Sequence, residues 1–230
     1  MPQRYFLETE HTFFKQDLHH IRHVMRMKTD DLIIVCFQGQ CYEAKLVVTP
    51  DQIQFTKTRP LPNQNQLDVT IIQGQPKGSK IDFIVKSASL FGAKKVIFTH
   101  MQRSIGKLEN TDHKLKRLSV IAKEASELSH RQLHLEINFE KRLETIDFKA
   151  FDIILLADEL ESNLQLKHAL KDFKKDMKIA FIIGPEGGIS PQERQMLNAL
   201  GAISISLGER ILPTEYAHLY ILSYLSANYL

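Results

Sequence analysis

A glycine-rich loop follows an apolar run late in the chain. The segment FIIGPEGGIS, from Phe181 to Ser190, places three glycines and one carboxylate, Glu186, directly after Ile183. Glycine has no Cβ, so the backbone can turn sharply and approach a ligand closely. The loop lacks both the GxGxxG spacing of dinucleotide sites and the Lys-Ser/Thr pair of phosphate-binding loops. By itself, a tight turn between a strand and a helix is at least as good an interpretation.

A second loop of this kind comes one helix and one strand later. The segment LGERILPTEYA, residues 207–217, places Gly208 after an apolar strand and adds three charged residues, Glu209, Arg210 and Glu215. Ligands of parallel sheets bind beyond the carboxyl ends of the strands. Two glycine-bearing loops at one sheet edge therefore predict a pocket. Arg210 considered alone would be read as a solvated loop charge.

Strand and helix patterns alternate around these loops, which predicts an α/β domain with a mostly parallel sheet. Ser190 is a predicted helix cap, with Pro191 at the first helical position and Glu193 completing a capping box. Ser79 is a predicted cap for an earlier helix. The predicted strands are Asp68–Gln73, Val96–Thr99, Asp152–Ala157, Ile179–Ile183 and Ile203–Leu207, and further helices are predicted over 112–130 and Glu215–Tyr229.

The first 60 or so residues follow a different pattern. Asp31–Phe37 and Tyr42–Val48 predict two strands around the turn Gln38-Gly39-Gln40, and Ile53–Lys57 a third. Residues 58–66, TRPLPNQNQ, are unfavourable for either helix or strand. The sequence therefore predicts a small β-rich domain over 1–66 and the α/β domain over 67–230.

Composition excludes several classes of protein. The 230 residues are 43% hydrophobic and 25% charged, with a net charge of +3 that permits a polyanionic partner without requiring one. No apolar run approaches the roughly 20 residues of a membrane span, and the N-terminus lacks the apolar core of a secretion signal. The only cysteines, Cys36 and Cys41, are expected to be small apolar strand residues. A reducing cytoplasm is the expected location.

The two loops in combination resemble one family. GPEGG running into Ser190-Pro191-Gln192-Glu193, followed by LGERIL and Thr214-Glu215-Tyr216-Ala217, is similar to the small-subunit ribosomal RNA uridine-N3 methyltransferases of the SPOUT superfamily (RsmE-type). The similarity extends over nearly the whole chain. Other segments in register are His19-His20-Ile21, Val24-Met25-Arg26, Lys77-Gly78, Arg103-Ser104, Glu124-Ala125 and Arg131.

The resemblance implies a fold and an activity. It implies an N-terminal PUA-like β-barrel and a C-terminal SPOUT α/β domain with a deep trefoil knot. It implies S-adenosylmethionine as the methyl donor, 16S rRNA, in the small ribosomal subunit, as the substrate, and a homodimer. The apolar last helix, with Ile221, Leu222, Leu225 and Leu230, is the expected dimer surface, although it could equally belong to the core.

The resemblance also implies a set of site residues. The glycine loop would hold the cofactor through backbone groups, and the loops after Leu156 and Leu207 would complete the cavity. The cofactor-binding residues expected on this basis are Leu156, Ile183, Gly184, Glu186, Gly187, Gly188, Leu207, Gly208, Ile211 and Leu212. The residues expected to contact RNA include His20, Arg22, Arg26, Arg103, Lys107 and Arg131. The cluster His19, His20 and His23 lacks further ligands, so no metal is expected.

Three residues are expected to carry the chemistry. Glu186 and Glu215 are the available carboxylates, and either could be the base that takes the uracil N3 proton or could orient an arginine. Arg210 could stabilise the uracil O2 or O4 as it becomes anionic. The sequence does not choose among these roles.

Several positions depart from the family pattern. Pro213 stands where a second arginine is usual and Tyr216 where Thr is usual, and Leu90, Ser87 and Leu128 replace an expected Glu, Lys and Gln. Two alternatives to a uridine-N3 methyltransferase therefore remain open. One is a SPOUT enzyme acting on another RNA or position, such as a ribose 2′-oxygen. The other is a non-catalytic RNA-binding paralogue.

Overall fold

The chain forms two compact units. The structure is a computed structural model that describes residues 2–106 and 109–230, so Lys107 lies outside the described residues. One unit comprises Met1–Gln64 and Ser126–His134, and the other comprises Asn65–Ala125 and Leu135–Leu230.

The first unit is built on a five-stranded sheet of order β2-β1-β3-β4-β5. β1 and β3 are parallel and the other pairs are antiparallel. The two end strands are not paired with each other among the described residues, so the sheet is an open, partial barrel. Its elements are β1 (Gln3–Thr9), β2 (Thr12–Phe13), α1 (Lys15–His19), a π-helical turn (His20–Val24), β3 (Leu32–Phe37), β4 (Gln40–Val48) and β5 (Ile53–Pro60).

The β3–β4 hairpin confirms the predicted turn but corrects the prediction for its cysteines. Gln38 and Gly39 have positive φ values of 48° and 84°, as a tight hairpin turn requires. Cys36 and Cys41 are buried strand residues, as expected. They face each other across the hairpin, however, and are joined by a disulfide rather than being separate apolar side chains.

The second unit is a parallel six-stranded sheet of order β11-β9-β10-β6-β7-β8, with helices between the strands. Its strands are β6 (Asp68–Gly74), β7 (Lys95–Thr99), β8 (Glu136–Glu140), β9 (Ile153–Ala157), β10 (Lys178–Ile183) and β11 (Ile203–Ile205). Its helices are α2 (Lys80–Leu90), α3 (Thr111–Leu128, ending in the first unit), α4 (Leu166–Ala169), α5 (Pro191–Ala199) and α6 (Thr214–Tyr229), with single 3₁₀ turns at Leu143–Thr145 and Phe148–Ala150.

The central strands of this sheet are buried on both faces. Neighbouring residues of β6 point to opposite faces, so Ile71 joins one core cluster and Ile72 the other. Phe181 and Ile182 of β10 divide in the same way. Burial on both faces explains why these strands read as nearly continuous apolar runs, and it confirms the predicted parallel α/β sheet.

Helix ends follow the sequence signals unevenly. The hydroxyl of Ser190 accepts a hydrogen bond from the backbone amide of Glu193, and the carboxylate of Glu193 accepts one from Ser190, so the predicted capping box is confirmed. Ser79 precedes α2 as predicted, but its side chain makes no capping hydrogen bond.

The boundary segment, residues 58–66, was predicted to be unfavourable for helix or strand, yet β5 continues to Pro60.

Helix α6 packs against the core, which corrects the predicted dimer surface. Ile221, Leu222 and Leu225 are 0%, 2% and 1% exposed, so they are core residues, whereas Leu230 is exposed. His218 is also fully buried on this helix, with its Nε2 2.7 Å from the Ser87 hydroxyl of α2.

No helix among the described residues is long and apolar enough to cross a membrane. The trefoil knot is a property of the path of the chain rather than of strand order, and it stays a prediction.

Candidate functional site

Three loops at the carboxyl edge of the parallel sheet enclose a cavity of about 700 Å³. We call them the acidic loop (158–165, after β9), the glycine loop (184–188, after β10) and the arginine loop (206–213, after β11). β9 lies between β10 and β11 in the sheet, so the ends of all three strands open onto the same place. The residues lining the cavity from these loops include Asp158, Glu159, Glu161, Ser162, Gln165, Gly184, Glu186, Gly187, Gly188, Leu207, Gly208, Glu209, Arg210, Ile211 and Leu212.

Both positions in the second half of the glycine loop favour glycine. A Cβ on Gly187 would lie 2.9 Å from the Cβ and 3.0 Å from the carbonyl oxygen of Arg103. Gly188 has a φ of +72°, and a Cβ there would lie 2.4 Å from a carboxylate oxygen of Glu159. The loop therefore needs glycine both for its conformation and for close approach to its neighbours.

A buried hydrogen-bond cluster ties the roots of the glycine and arginine loops together. The Thr214 hydroxyl donates to the carbonyl of Gly184 at 2.5 Å, and the Gln73 side-chain amide donates to that hydroxyl at 2.7 Å. Gln73 also donates to the Gly184 carbonyl at 3.3 Å. Gln73 and Thr214 are 0% and 8% exposed, and Gly184 and Thr214 also line the cavity, so this cluster links the ends of β6 and β10 to the start of α6 at the cavity wall.

The loop after β7 is fastened to the other side of the glycine loop. The Glu193 carboxylate, already in the capping box, also accepts the backbone amide of Gln102 at 2.7 Å. The guanidinium of Arg103 donates to the carbonyl of Gly187 at 3.1 Å. Arg103, expected to bind RNA, is therefore an exposed cation directly beside the glycine loop.

Lys80, in the first turn of α2, joins the two predicted catalytic carboxylates. Its ammonium nitrogen lies 3.0 Å from Glu186 Oε1 and 3.0 Å from Glu215 Oε2, and these partners raise the pKa of Lys80. Burial tends to raise the pKa of Glu186, but hydrogen bonds from the backbone amides of Lys77 and Glu186 and from Lys80 outweigh it. The pKa of Glu186 is therefore below its usual range, and this carboxylate stays ionised.

The acidic loop begins with a carboxylate locked in place. Asp158 is 5% exposed and accepts two hydrogen bonds from the guanidinium of Arg194 on α5, one of them at 2.9 Å. Burial works to raise the pKa of Asp158, but Arg194 and the backbone amide of Leu160 lower it below the usual range. Two anchored carboxylates, Asp158 and Glu186, thus line the cavity from two different loops.

Most of the expected cofactor-binding residues line this one cavity. Ile183, Gly184, Glu186, Gly187, Gly188, Leu207, Gly208, Ile211 and Leu212 are all in its lining, and so is Arg210. Leu156 does not line it: this side chain is fully buried in the core cluster on the opposite face of the sheet, and its neighbour Ala157 reaches the cavity instead. Glu215 also lies outside the lining and reaches the site only through Lys80. Arg210 is exposed and has no hydrogen bond or ion pair to other described residues.

The residues expected to contact RNA are not equivalent. In the first unit, His20 lies 3.0 Å from the Tyr5 hydroxyl, Arg22 donates to the carbonyls of Thr49 and Pro50, and Arg26 is exposed with a φ of +51°. Arg131 is corrected by its burial: it is 7% exposed, and burial lowers its pKa to about 10. A guanidinium in that position is not presented to a phosphate.

Sequence reasoning missed the residues that hold the site together. Lys80, Gln73 and Asp158 belong to different elements, and no local pattern connects them, whereas Thr214 lies in a motif of the resemblance that assigned it no role. The segment Lys77-Gly78 lies just before Ser79 and α2, but nothing in it singles out Lys80. The His19 and His23 rings lie 4.9 Å apart, and the described residues contain no cluster of three potential metal ligands.

The fold and the cavity define a class of protein. A parallel sheet with glycine-bearing loops around a cavity at its carboxyl edge is typical of ligand-binding α/β domains. The family model "RNA methyltransferase domain" matches residues 63–226, and "RNA methyltransferase PUA domain" matches residues 15–58. The chain belongs to this RNA methyltransferase family.

Individual relatives agree with this assignment. The chain is 33% identical to ribosomal RNA small subunit methyltransferase E of Bacillus subtilis, over 97% of this chain and 96% of that protein. Two solved structures at 21% identity share its fold. One is a putative methyltransferase from Legionella pneumophila in complex with SAM, with a TM-score of 0.85 over 99% of this chain and 98% of that one. The other is ribosomal RNA small subunit methyltransferase E from Neisseria gonorrhoeae bound to S-adenosyl methionine, with a TM-score of 0.83 over the same shares.

Proposed function

We propose that this protein is an S-adenosylmethionine-dependent methyltransferase that methylates N3 of a uridine in 16S rRNA. The observation that carries the proposal is the convergence of the glycine and arginine loops on one cavity, in a chain of this family. The curated relative from Bacillus subtilis is named for methylation of small-subunit ribosomal RNA. Residues 67–230 would be the methyltransferase domain and residues 1–66 the PUA-like RNA-binding domain.

The cavity suits an adenosyl sulfonium better than a phosphate. Ile183, Leu207 and Leu212 supply apolar surface for a purine. Within the described chain, the backbone amides of Leu207, Ile211 and Leu212 have no hydrogen-bond partner, so they are free to bind a ring nitrogen or a carboxylate.

The charges of the residues that line the cavity also favour S-adenosylmethionine. Among the described residues of the lining, five carboxylates (Asp158, Glu159, Glu161, Glu186 and Glu209) face two cations (Lys80 and Arg210). Such a surface attracts a ligand with a net positive charge and repels phosphates. When bound, S-adenosylmethionine supplies a methyl group activated by its sulfonium.

The residues of the chain then act mainly by positioning. Holding the acceptor nitrogen in line with the methyl carbon supplies much of the acceleration of a direct displacement. Thr214 and Gln73 fix the loop roots that define this geometry. Glu186 is kept ionised by its partners, and a carboxyl with a lowered pKa is a weak base, so we assign it an electrostatic rather than a proton-accepting role. Arg210, exposed at the lining, is assigned to the uracil carbonyl oxygens.

We further propose that the assembled small subunit is the substrate and that the protein is located in the cytoplasm, where that subunit is made.

We also propose that the protein is a homodimer. The aromatic face of α2 and α6 would form the contact between copies. Phe83, Tyr216 and Tyr220 are 41%, 47% and 45% exposed there, and the Phe83 and Tyr216 rings lie 5.3 Å apart. Light scattering at micromolar concentration would give the mass of a monomer if this is wrong.

The test of function is methylation with labelled donor of naked 16S rRNA and of small subunits from cells lacking the activity. Nucleoside mass spectrometry of the product is expected to give N3-methyluridine. A methylated ribose or another base would favour a different SPOUT activity. Donor binding by calorimetry without transfer to either substrate would favour a non-catalytic paralogue with altered Pro213 and Tyr216 positions.

A further inference from the structure

The ammonium of Lys80 lies between two carboxylates at the edge of the cavity. An ammonium has three N–H donors. Two carboxylate oxygens, Glu186 Oε1 and Glu215 Oε2, lie within ion-pair distance of the nitrogen, each at 3.0 Å. The Lys80 side chain is 33% exposed and belongs to the cavity lining. Two ion-pair partners do not occupy all three donors, so at least one donor is left for an acceptor that enters the cavity.

The charged groups around Lys80 come from three elements. Glu186 lies on the glycine loop and Glu215 in the first turn of α6, and Lys77 contributes a backbone amide to Glu186. Glu209 and Arg210 line the cavity from the arginine loop. Arg210 has no partner among the described residues, so Lys80 is the lining cation whose position is fixed before substrate binds.

We propose that Lys80 is a catalytic residue whose third ammonium N–H binds a carbonyl oxygen of the acceptor uracil and neutralises the charge that appears when N3 loses its proton. The proposal rests on the proposed uridine-N3 activity and adds a residue that sequence reasoning did not identify. The N3 anion of uracil is delocalised onto the O2 and O4 atoms, so a cation at either oxygen stabilises it.

The reaction balances with solvent as the proton acceptor. The N3 proton passes to water or hydroxide. The N3 electron pair forms the new bond to the methyl carbon, and the electron pair of the methyl–sulfur bond stays on sulfur. The products are N3-methyluridine and a neutral thioether. Lys80 does not transfer a proton: its two carboxylate partners keep it charged throughout.

This role predicts a pH signature that a purely structural lysine lacks. An opposite charge within about 4–6 Å shifts an ionisation by about 1–3 pH units. In the Lys80→Met variant, the ionisation of N3 therefore occurs at higher pH, and the rising limb of the rate profile moves up by that amount. At neutral pH the rate falls by about 10²-fold, as for loss of one preorganised donor to an anionic oxygen. Lys80→Arg retains the charge and the position of the rising limb.

The experiment measures single-turnover methylation of the small subunit by the full-length protein from pH 6.5 to 9.5, with donor binding measured separately by calorimetry. Lys86→Met is the matched control, because Lys86 is an exposed lysine on the same helix and outside the cavity. Removing Lys80 leaves two carboxylates facing each other, so the double variant Lys80→Met/Glu215→Gln is included to relieve their repulsion.

The outcomes separate this proposal from the proposed function. A shifted profile in Lys80→Met that the double variant does not restore, with Lys86→Met unchanged, supports it. If Lys80→Met has the wild-type profile, or the double variant regains the wild-type rate, Lys80 only separates two carboxylates and the proposal is wrong. If the wild-type protein forms no N3-methyluridine, the proposed function itself fails.

Discussion

Thr214, the first residue of α6, donates its hydroxyl proton to the carbonyl of Gly184, the residue that follows β10, across 2.5 Å. This single bond joins the end of the arginine loop to the beginning of the glycine loop. Gln73 on β6 donates to both partners from below. The cavity wall at this point is therefore held by a buried cluster from three elements rather than by either loop alone.

Replacing Thr214 by Val tests that cluster. The change removes the donor to Gly184 and one acceptor of Gln73 without changing the size of the side chain. Loss of a buried hydrogen-bond partner costs about 1–3 kcal/mol, so the free energy of unfolding in urea should fall by that amount. Donor affinity should fall as well. In a double-mutant cycle with Gln73→Leu the two losses should not add, and simple additivity would show that the residues act independently.

Replacing Gly208 by Ala tests the arginine loop against a matched glycine. Gly208 and Gly201 have φ values of +114° and +89°, and a Cβ at either position would meet no atom within 4 Å. Both Ala variants should lose about 1–2 kcal/mol of stability from backbone strain. Only Gly208→Ala should weaken donor binding, because Gly201 ends α5 outside the cavity lining. Equal donor affinity for the two variants would place the cofactor elsewhere.

Arg210→Ala should reduce methyl transfer far more than donor binding. Losing one aligned donor to a developing oxyanion costs about 10²- to 10³-fold in rate. Lys at this position should rescue only in part, because it lacks the planar fork of a guanidinium. Arg142→Ala, an exposed arginine outside the cavity lining, is the control. A wild-type rate for Arg210→Ala would make Arg210 a surface charge.

His218 should make stability depend on pH. Burial lowers its pKa from 6.5 to about 4 in the folded protein, so between these values the unfolded chain binds more protons. Stability is therefore lost as the pH falls from about 6.5 towards 4, by up to about 3 kcal/mol. Urea unfolding from pH 7.5 to 4.5 should show a shallower loss for His218→Gln than for wild type. Parallel curves would mean that His218 titrates normally.

Arg26 should carry more RNA affinity than its neighbours, since Arg22 is bonded to backbone carbonyls and His20 to Tyr5. Arg26→Ala should weaken binding of 16S rRNA and reduce the slope of log affinity against log salt by about one. Lys45→Ala, at an exposed position of β4, provides the control. An unchanged slope for Arg26→Ala would exclude a phosphate contact.

The sequence predicted the local features of this protein well. The parallel strands, the Ser190–Glu193 capping box and the two glycine-bearing loops all follow from signals within a few residues, such as apolar runs, cap residues and glycine spacing. The sequence also predicted that the two loops lie at one edge of the sheet, since parallel strands place their carboxyl ends together. Strands β1, β2 and β8 were missed, and the resemblance placed Leu156 in the cavity although its side chain points to the opposite face.

By itself, the sequence determined most of the helices and strands of the α/β unit and that a pocket lies between the glycine and arginine loops, because those properties depend on neighbours along the chain. Only the tertiary structure decided that Lys80 bridges Glu186 and Glu215, that Gln73 and Thr214 share the Gly184 carbonyl, and that Arg131 and Ile221 are buried. These contacts join residues about 30 to 140 positions apart. Hydrogen bonds, ion pairs and burial at such separations depend on how the elements pack, and no local pattern in the chain encodes them.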